Sequence, residues 1–147
     1  MPTAPRREEL SFGPYLAELF CVDPARVDEM WPHVRERLRA AVDRTELSSF
    51  DDLEADVLSG MQLVWLAWGG SEIMAVATTQ LVKPRNKVCV LTACAGRDRE
   101  QWLPLFAQIE KYAKDEGCSR MRIYGRKGWE RVLDGYRAEH VILEKAL

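Results

Sequence analysis

The chain has 147 residues, 47% of them apolar and 30% charged, with five Trp and a formal net charge of −2, enough for one domain with its own core and unlike fibrous or disordered chains. Its longest apolar run, Leu63 to Trp68, is six residues, far short of the roughly 20 that span a bilayer. Met1 to Leu10 lacks the apolar stretch of a secretory signal, so the expected location is the cytoplasm or a particle assembled there, with no membrane partner.

Residues 1–16 read as an N-terminal arm and 17–147 as a single domain. Ala17 to Val22 is a first strand. Asp23 followed by Pro24 marks a helix start, because the carboxylate caps free amides while Pro takes the first helical position at no hydrogen-bond cost. Val27, Met30, Trp31, Val34, Leu38 and Ala41 recur at helical spacing and predict a helix over most of 24–43, kinked at Pro32. Ser49 with Asp52 resembles a capping box and Gly60 is a usual stop, which predicts a short helix over 50–59.

Beyond Gly60 the period changes to that of strands. Met61 to Trp68, Ile73 to Val82 and Val88 to Ala93 are joined by a Gly69-Gly70-Ser71 turn and a Lys83 to Lys87 turn holding Pro84, an antiparallel meander. Cys94 to Asp98 reads as a loop. Trp102, Leu105, Phe106, Ile109, Tyr112 and Ala113 then hold the spacing of one long amphipathic helix, capped by Gly117. Arg120 to Tyr124 is a strand, Trp129 to Leu133 a short helix and His140 to Glu144 a last strand. The long helix is a right-handed crossover, so the strands on either side of it are parallel. The fold class is therefore α/β, with a mostly antiparallel mixed sheet flanked by helices.

Four Cys stand at 21, 89, 94 and 118 with only His33 and His140 beside them. Paired C-x-x-C knuckles are missing, and no metal site can be argued. Cys89 and Cys94 read as small buried hydrophobes. Residues 1–80 carry 7 basic and 14 acidic side chains, and residues 81–147 carry 14 and 9. A basic half suits phosphate on a cofactor, a nucleic acid or an acidic partner, or docks on the acidic half, the plainer reading. Arg120, Arg122 and Tyr124 share a strand face, with Arg126, Lys127 and Arg131 following, but the pI near 5.8 weighs against nucleic acid. The five Trp sit at apolar-face positions and read as core.

With this order of elements, Gly96-Arg97-Asp98-Arg99-Glu100-Gln101-Trp102 resembles the phosphate-holding stretch of the GNAT superfamily of acyl-CoA N-acyltransferases. In that family R/Q-x-x-G-x-G/A opens the helix after the fourth strand, and its amides hold the pyrophosphate of coenzyme A. The resemblance implies Gly96, Arg97 and Arg99 as residues binding coenzyme A or acetyl-CoA. With Arg97 at the first motif position, the two small positions fall on Glu100, whose charge repels a diphosphate, and Trp102, whose bulk fills space. Arg97 and Arg99 offset part of that by pairing with phosphate.

The family also places a Tyr, the general acid, four residues before a Gly-Phe pair. Gly135-Tyr136 matches the pair, but Arg131 stands where the acid would be and holds its proton too tightly. Tyr124 and Tyr136 are the nearby phenols. Val88 to Ala93 contains no acidic residue, Thr92 and Cys94 are poor bases, and no catalytic residue is assigned. Residues 125–131 and 140–147 resemble small GNAT-like proteins of tailed phages and prophages, which implies a GNAT-like fold reused in a phage context, where a catalytic site need not persist. Only one strand follows the last helix where the family has two, so a second copy or another protein would supply the missing edge. The favoured expectation is a non-catalytic structural or interaction module, such as a bacteriophage virion component, with a protein partner or self-association. The alternative is an acetyl-CoA-dependent N-acetyltransferase acting on an unknown amine.

Overall fold

A computed structural model describes residues 17–45, 47–82, 87–125 and 128–147. The arm, most of the Pro84 turn, and Arg126 and Lys127 lie outside the described residues. Five runs rich in apolar and β-branched residues form one sheet: β1 (Glu18–Cys21), β2 (Leu63–Trp68), β3 (Ile73–Val82), β4 (Val88–Gly96) and β5 (Arg120–Ile123), side by side in chain order. Neighbours are antiparallel except β4 and β5, which run parallel from Val88↔Arg120 to Leu91↔Ile123.

Asp23 Oδ1 accepts from the Ala25 amide at 2.9 Å and starts a single 3-10 turn, Pro24–Arg26, which leads into α1 (Val27–Thr45). The helix continues through Pro32. Ser49 caps α2 (Phe50–Leu58), its Oγ accepting from the Asp52 amide. Trp31, Val34 and Leu38 of α1 and Leu53 and Val57 of α2 pack on Val64, Val76 and Ala93, which covers one face of the sheet. The other face carries Trp65, Ala77 and Leu91, covered by Trp102, Phe106 and Ile109. Each large side chain sealed this way contributes about 1.5–3 kcal/mol.

Four expectations need correction. The helix predicted from Trp102 onward is broken into α3 (Arg99–Trp102), a 3-10 turn (Leu103–Leu105) and α4 (Phe106–Asp115), because Pro104 has no amide to continue the ladder. Cys94 to Gly96 is not loop; β4 runs on through it, reaching the pair Ala75↔Gly96 with β3. His140 to Glu144 forms no strand, since its β-prone residues meet no strand edge: Val141 and Leu143 are 82% and 91% exposed. Trp68 is not core, standing 38% exposed at the end of β2. The other predicted helix, α5 (Trp129–Val132), is in place.

Candidate functional site

The site follows from where β4 and β5 stop pairing. Thr78 faces Ala93 and Thr79 faces Leu91, so Thr92 is the extra residue of a bulge in β4. A bulge bends its strand and sharpens the twist. Partly buried bonds hold it: the Thr78 and Thr92 hydroxyls lie 2.7 Å apart, Thr92 donates to Gln62 Oε1 at 2.6 Å, and Gln62 Nε2 donates to Asp56 Oδ2. Below the bulge β4 pairs with β5. Above it Ala93 to Gly96 pairs only with β3, while the chain after Ile123 turns away at Gly125.

The gap is a cleft of about 400 Å³ walled by Thr92 to Gly96, Tyr124, Gly125 and Trp129, with Arg44, Arg97 and Arg99 around it. Trp102 floors it. Its Nε1–H donates to the Arg97 carbonyl at 2.8 Å and its ring lies 6.3 Å from that of Trp129, so the bulk expected to block the site packs beneath an open space. A Cβ on Gly125 would come within 3.0 Å of the Trp129 ring, so this glycine lets the indole form the wall. Asp98 is the one carboxylate among the lining residues, at φ 53° in the left-handed region, and its side chain caps no amide.

The expected cofactor residues come together here in different states. Gly96 is the last residue of β4, packed against Ala75. Arg97 ion-pairs with Glu72 from the turn between β2 and β3, both side chains at least half exposed. Such an exposed, screened pair contributes about 0–1 kcal/mol, little enough for an anion of higher charge to compete with Glu72 for the guanidinium. Arg99 opens α3 and Glu100 beside it is exposed. Burial pushes the Cys94 thiol up to about 12, which keeps it protonated and unreactive.

Tyr136 is not in this cleft. It donates to Glu110 Oε2 at 2.8 Å and stands edge-on to Phe106, and burial with that acceptor holds its phenol well above the ordinary range. Arg131 is exposed on α5. The phenol at the cleft is Tyr124, just past β5 and 52% exposed. Sequence reasoning missed Arg44 and Thr45, brought in by the end of α1, and did not see that the lone hydroxyl of an apolar strand, Thr92, marked the bulge. Among the described residues no group of three or more His, Cys, Asp or Glu is placed to hold a metal ion.

No family model matches the chain, and no curated protein matches it. Solved structures do. An aminoglycoside acetyltransferase from an uncultured soil metagenomic sample, in complex with sisomicin, superposes on 90% of this chain and 96% of its own with a TM-score of 0.62 at 13% identity. A possible acetyltransferase from Clostridium difficile 630 covers 90% and 98% with a TM-score of 0.61 at 14% identity. The aminoglycoside N-acetyltransferase AAC(6')-Iy in complex with CoA covers 88% and 93% with a TM-score of 0.59 at 12% identity. The fold is GNAT-like. At these identities the likeness concerns architecture, and activity has to be argued from the cleft. The GNAT-like sheet is mixed, with its parallel pair at β4 and β5, and the cleft lies where that pair parts.

Proposed function

We propose that this chain binds an acyl thioester of coenzyme A between β4 and β5 and transfers its acyl group to an amine. The observation that carries this reading is the open cleft beside a strand, Thr92 to Gly96, with no partner strand on that side. A polar backbone edge lining a concavity suits an extended amide-bearing arm, which can bond to it as another strand would. Arg97 and Arg99 supply positive charge at the mouth for phosphate. The cofactor would bring an activated acyl group; the protein contributes position, charge and a proton held on Tyr124 Oη. Asp98, the sole carboxylate on the lining, stands beside these arginines, so the amine would have to arrive already neutral or lose its proton to water.

Calorimetric titration with acetyl-CoA tests the reading. Saturable binding is expected, weakened about tenfold or more by Arg99→Ala, consistent with loss of one charge-assisted contact. Tyr124→Phe should keep that binding while slowing thiol release with amine acceptors by about 10²-fold. Neither heat nor a thermal shift with acetyl-CoA would remove the reading.

A second reading has its own support: Glu72 already neutralises Arg97, and no histidine lines the cleft. These features suit a non-catalytic interaction module, as in the phage-type proteins that residues 125–131 and 140–147 resemble. Failure to bind any acyl thioester, together with a stable protein complex, would favour it.

A further inference from the structure

We propose that the amine accepting the acyl group carries a carboxylate beside it, and that Arg44 is the side chain that anchors this carboxylate. Such an acceptor presupposes the thioester reading above and concerns the same cleft. One arginine of α1 is uncommitted. Of the four on that helix, Arg35 pairs with Glu36 and Glu54, Arg37 donates to the Ile73 carbonyl at 2.8 Å, and Arg39 lies over the Phe50 ring, 4.8 Å from its centroid. Arg44, in the last turn, lines the cleft and makes no hydrogen bond or ion pair with any described residue. Asp43 beside it is exposed and off the lining.

The two faces of the sheet divide the charges. α1 covers the face that carries Ala93 and Ala95, and Ala41, Val42, Arg44 and Thr45 enter the cleft from there. Trp102 covers the other face, and the helix it ends opens at Arg99. With a cofactor's phosphates drawn to Arg97 and Arg99, Arg44 is left for whatever enters from the α1 face. Apart from Arg44, the lining on that face is small and apolar except for Thr45, whose hydroxyl already donates to the Val42 carbonyl. A carboxylate arriving there meets one cation, and an ammonium meets no carboxylate.

Over the whole cleft, three arginines stand against one carboxylate, Asp98, among the described lining residues. A concavity lined by one sign of charge concentrates ligands of the opposite sign and repels its own. A polycationic amine is therefore disfavoured, whereas an amine that brings its own carboxylate is drawn in. The carboxylate also orients its bearer, because a planar guanidinium takes it in a fork of two parallel hydrogen bonds. That fork fixes the amine a few bonds away for attack on the thioester carbonyl. A free amino acid and the acidic first residue of a peptide both carry this chemistry. A basic residue in the last turn of a helix also complements the helix dipole, a role that changes stability and leaves acceptor choice untouched.

Thiol release from acetyl-CoA with the dipeptide amides of Glu-Ala, Gln-Ala and Arg-Ala tests the anchor, since each has a single amine. The Glu amide is expected to exceed the Gln amide in kcat/KM by about tenfold or more, with the Arg amide lowest and the lead shrinking as salt rises. Free glutamate separates the two sources: a preference for it points to an amino acid, a preference for the dipeptide to a peptide. Arg44→Ala should raise KM for the Glu amide about tenfold and erase its lead, while acetyl-CoA affinity by calorimetry holds. Arg44→Lys should keep part of the lead, and Arg44→Glu should pass it to the Arg amide. Equal use of the Gln amide, a loss of acetyl-CoA affinity in Arg44→Ala, or Arg44 variants that change only the unfolding midpoint would each overturn the anchor and leave acyl transfer standing. Absence of any heat with acetyl-CoA, or binding of acetyl-CoA without transfer to any of these amines, would overturn acceptor and transfer together.

Discussion

At Gly96 an added Cβ would lie 2.6 Å from the Ala75 Cβ and 3.0 Å from the Met74 carbonyl oxygen. The glycine thus answers to the packing of β4 against the end of β3, whatever the cleft binds. Gly96→Ala should lower stability by about 1–3 kcal/mol, the usual cost of overpacking, read as a lower urea midpoint without any ligand. An unchanged midpoint would mean that the strand end yields at no cost and that the glycine serves something else. Arg97, its neighbour, is the reverse case. Its backbone is fixed by the Arg97 amide donating to Met74 and the Arg97 carbonyl accepting from Trp102, while its side chain holds only an exposed ion pair.

Among elements, α1 and the α3–α4 segment show two responses to proline. Pro104 follows a four-residue helix and turns the chain into a 3-10 step. Pro32 sits inside a 19-residue helix whose buried face, from Val27 to Val42, keeps it going despite the missing amide. Pro32 is exposed and contributes nothing to that face. Pro32→Ala should therefore restore the ladder and raise stability by about 1–3 kcal/mol; denaturant unfolding that shows no gain would count against it. The bulge at Thr92 belongs to this scale as well. It separates the paired half of β4 from the half that borders the cleft, and the Gln62 amide holds it from outside the strand.

For the whole molecule, three thiols report how well the sheet face under Trp102, Phe106 and Ile109 is sealed. Burial pushes Cys21, Cys89 and Cys94 each up to about 12 from an ordinary value near 9. Because the folded form holds these protons more tightly than the unfolded chain, their contribution is complete below about pH 9 and is lost as pH rises from 9 to 12. Melting temperature should be level up to about pH 9 and then fall, with Tyr112 and Tyr136, also raised by burial, adding to the slope. Replacing Cys94 with Ala should make the decline shallower. A melting temperature that stays level to pH 12 would contradict the sealing. No described helix is long and apolar enough to cross a membrane.

Periodicity and punctuation, read locally, determined most elements: the cap at Asp23, the strand runs after Gly60, the apolar stripe of Phe106, Ile109 and Ala113, and the parallel crossover they imply. These features depend on residues within a few positions of one another, so a linear reading reaches them. The cleft and the free edge arise between segments distant in the chain. Pairing of β4 with β5 ends at Leu91 and Ile123, next to the one-residue bulge at Thr92 that Gln62 holds, and no spacing rule encodes where it stops. The same holds for His140 to Glu144, where β propensity was plain but a strand needs an edge to pair with. Only the packed molecule decides whether one is within reach, because the hydrogen bonds that make a strand belong to two segments at once.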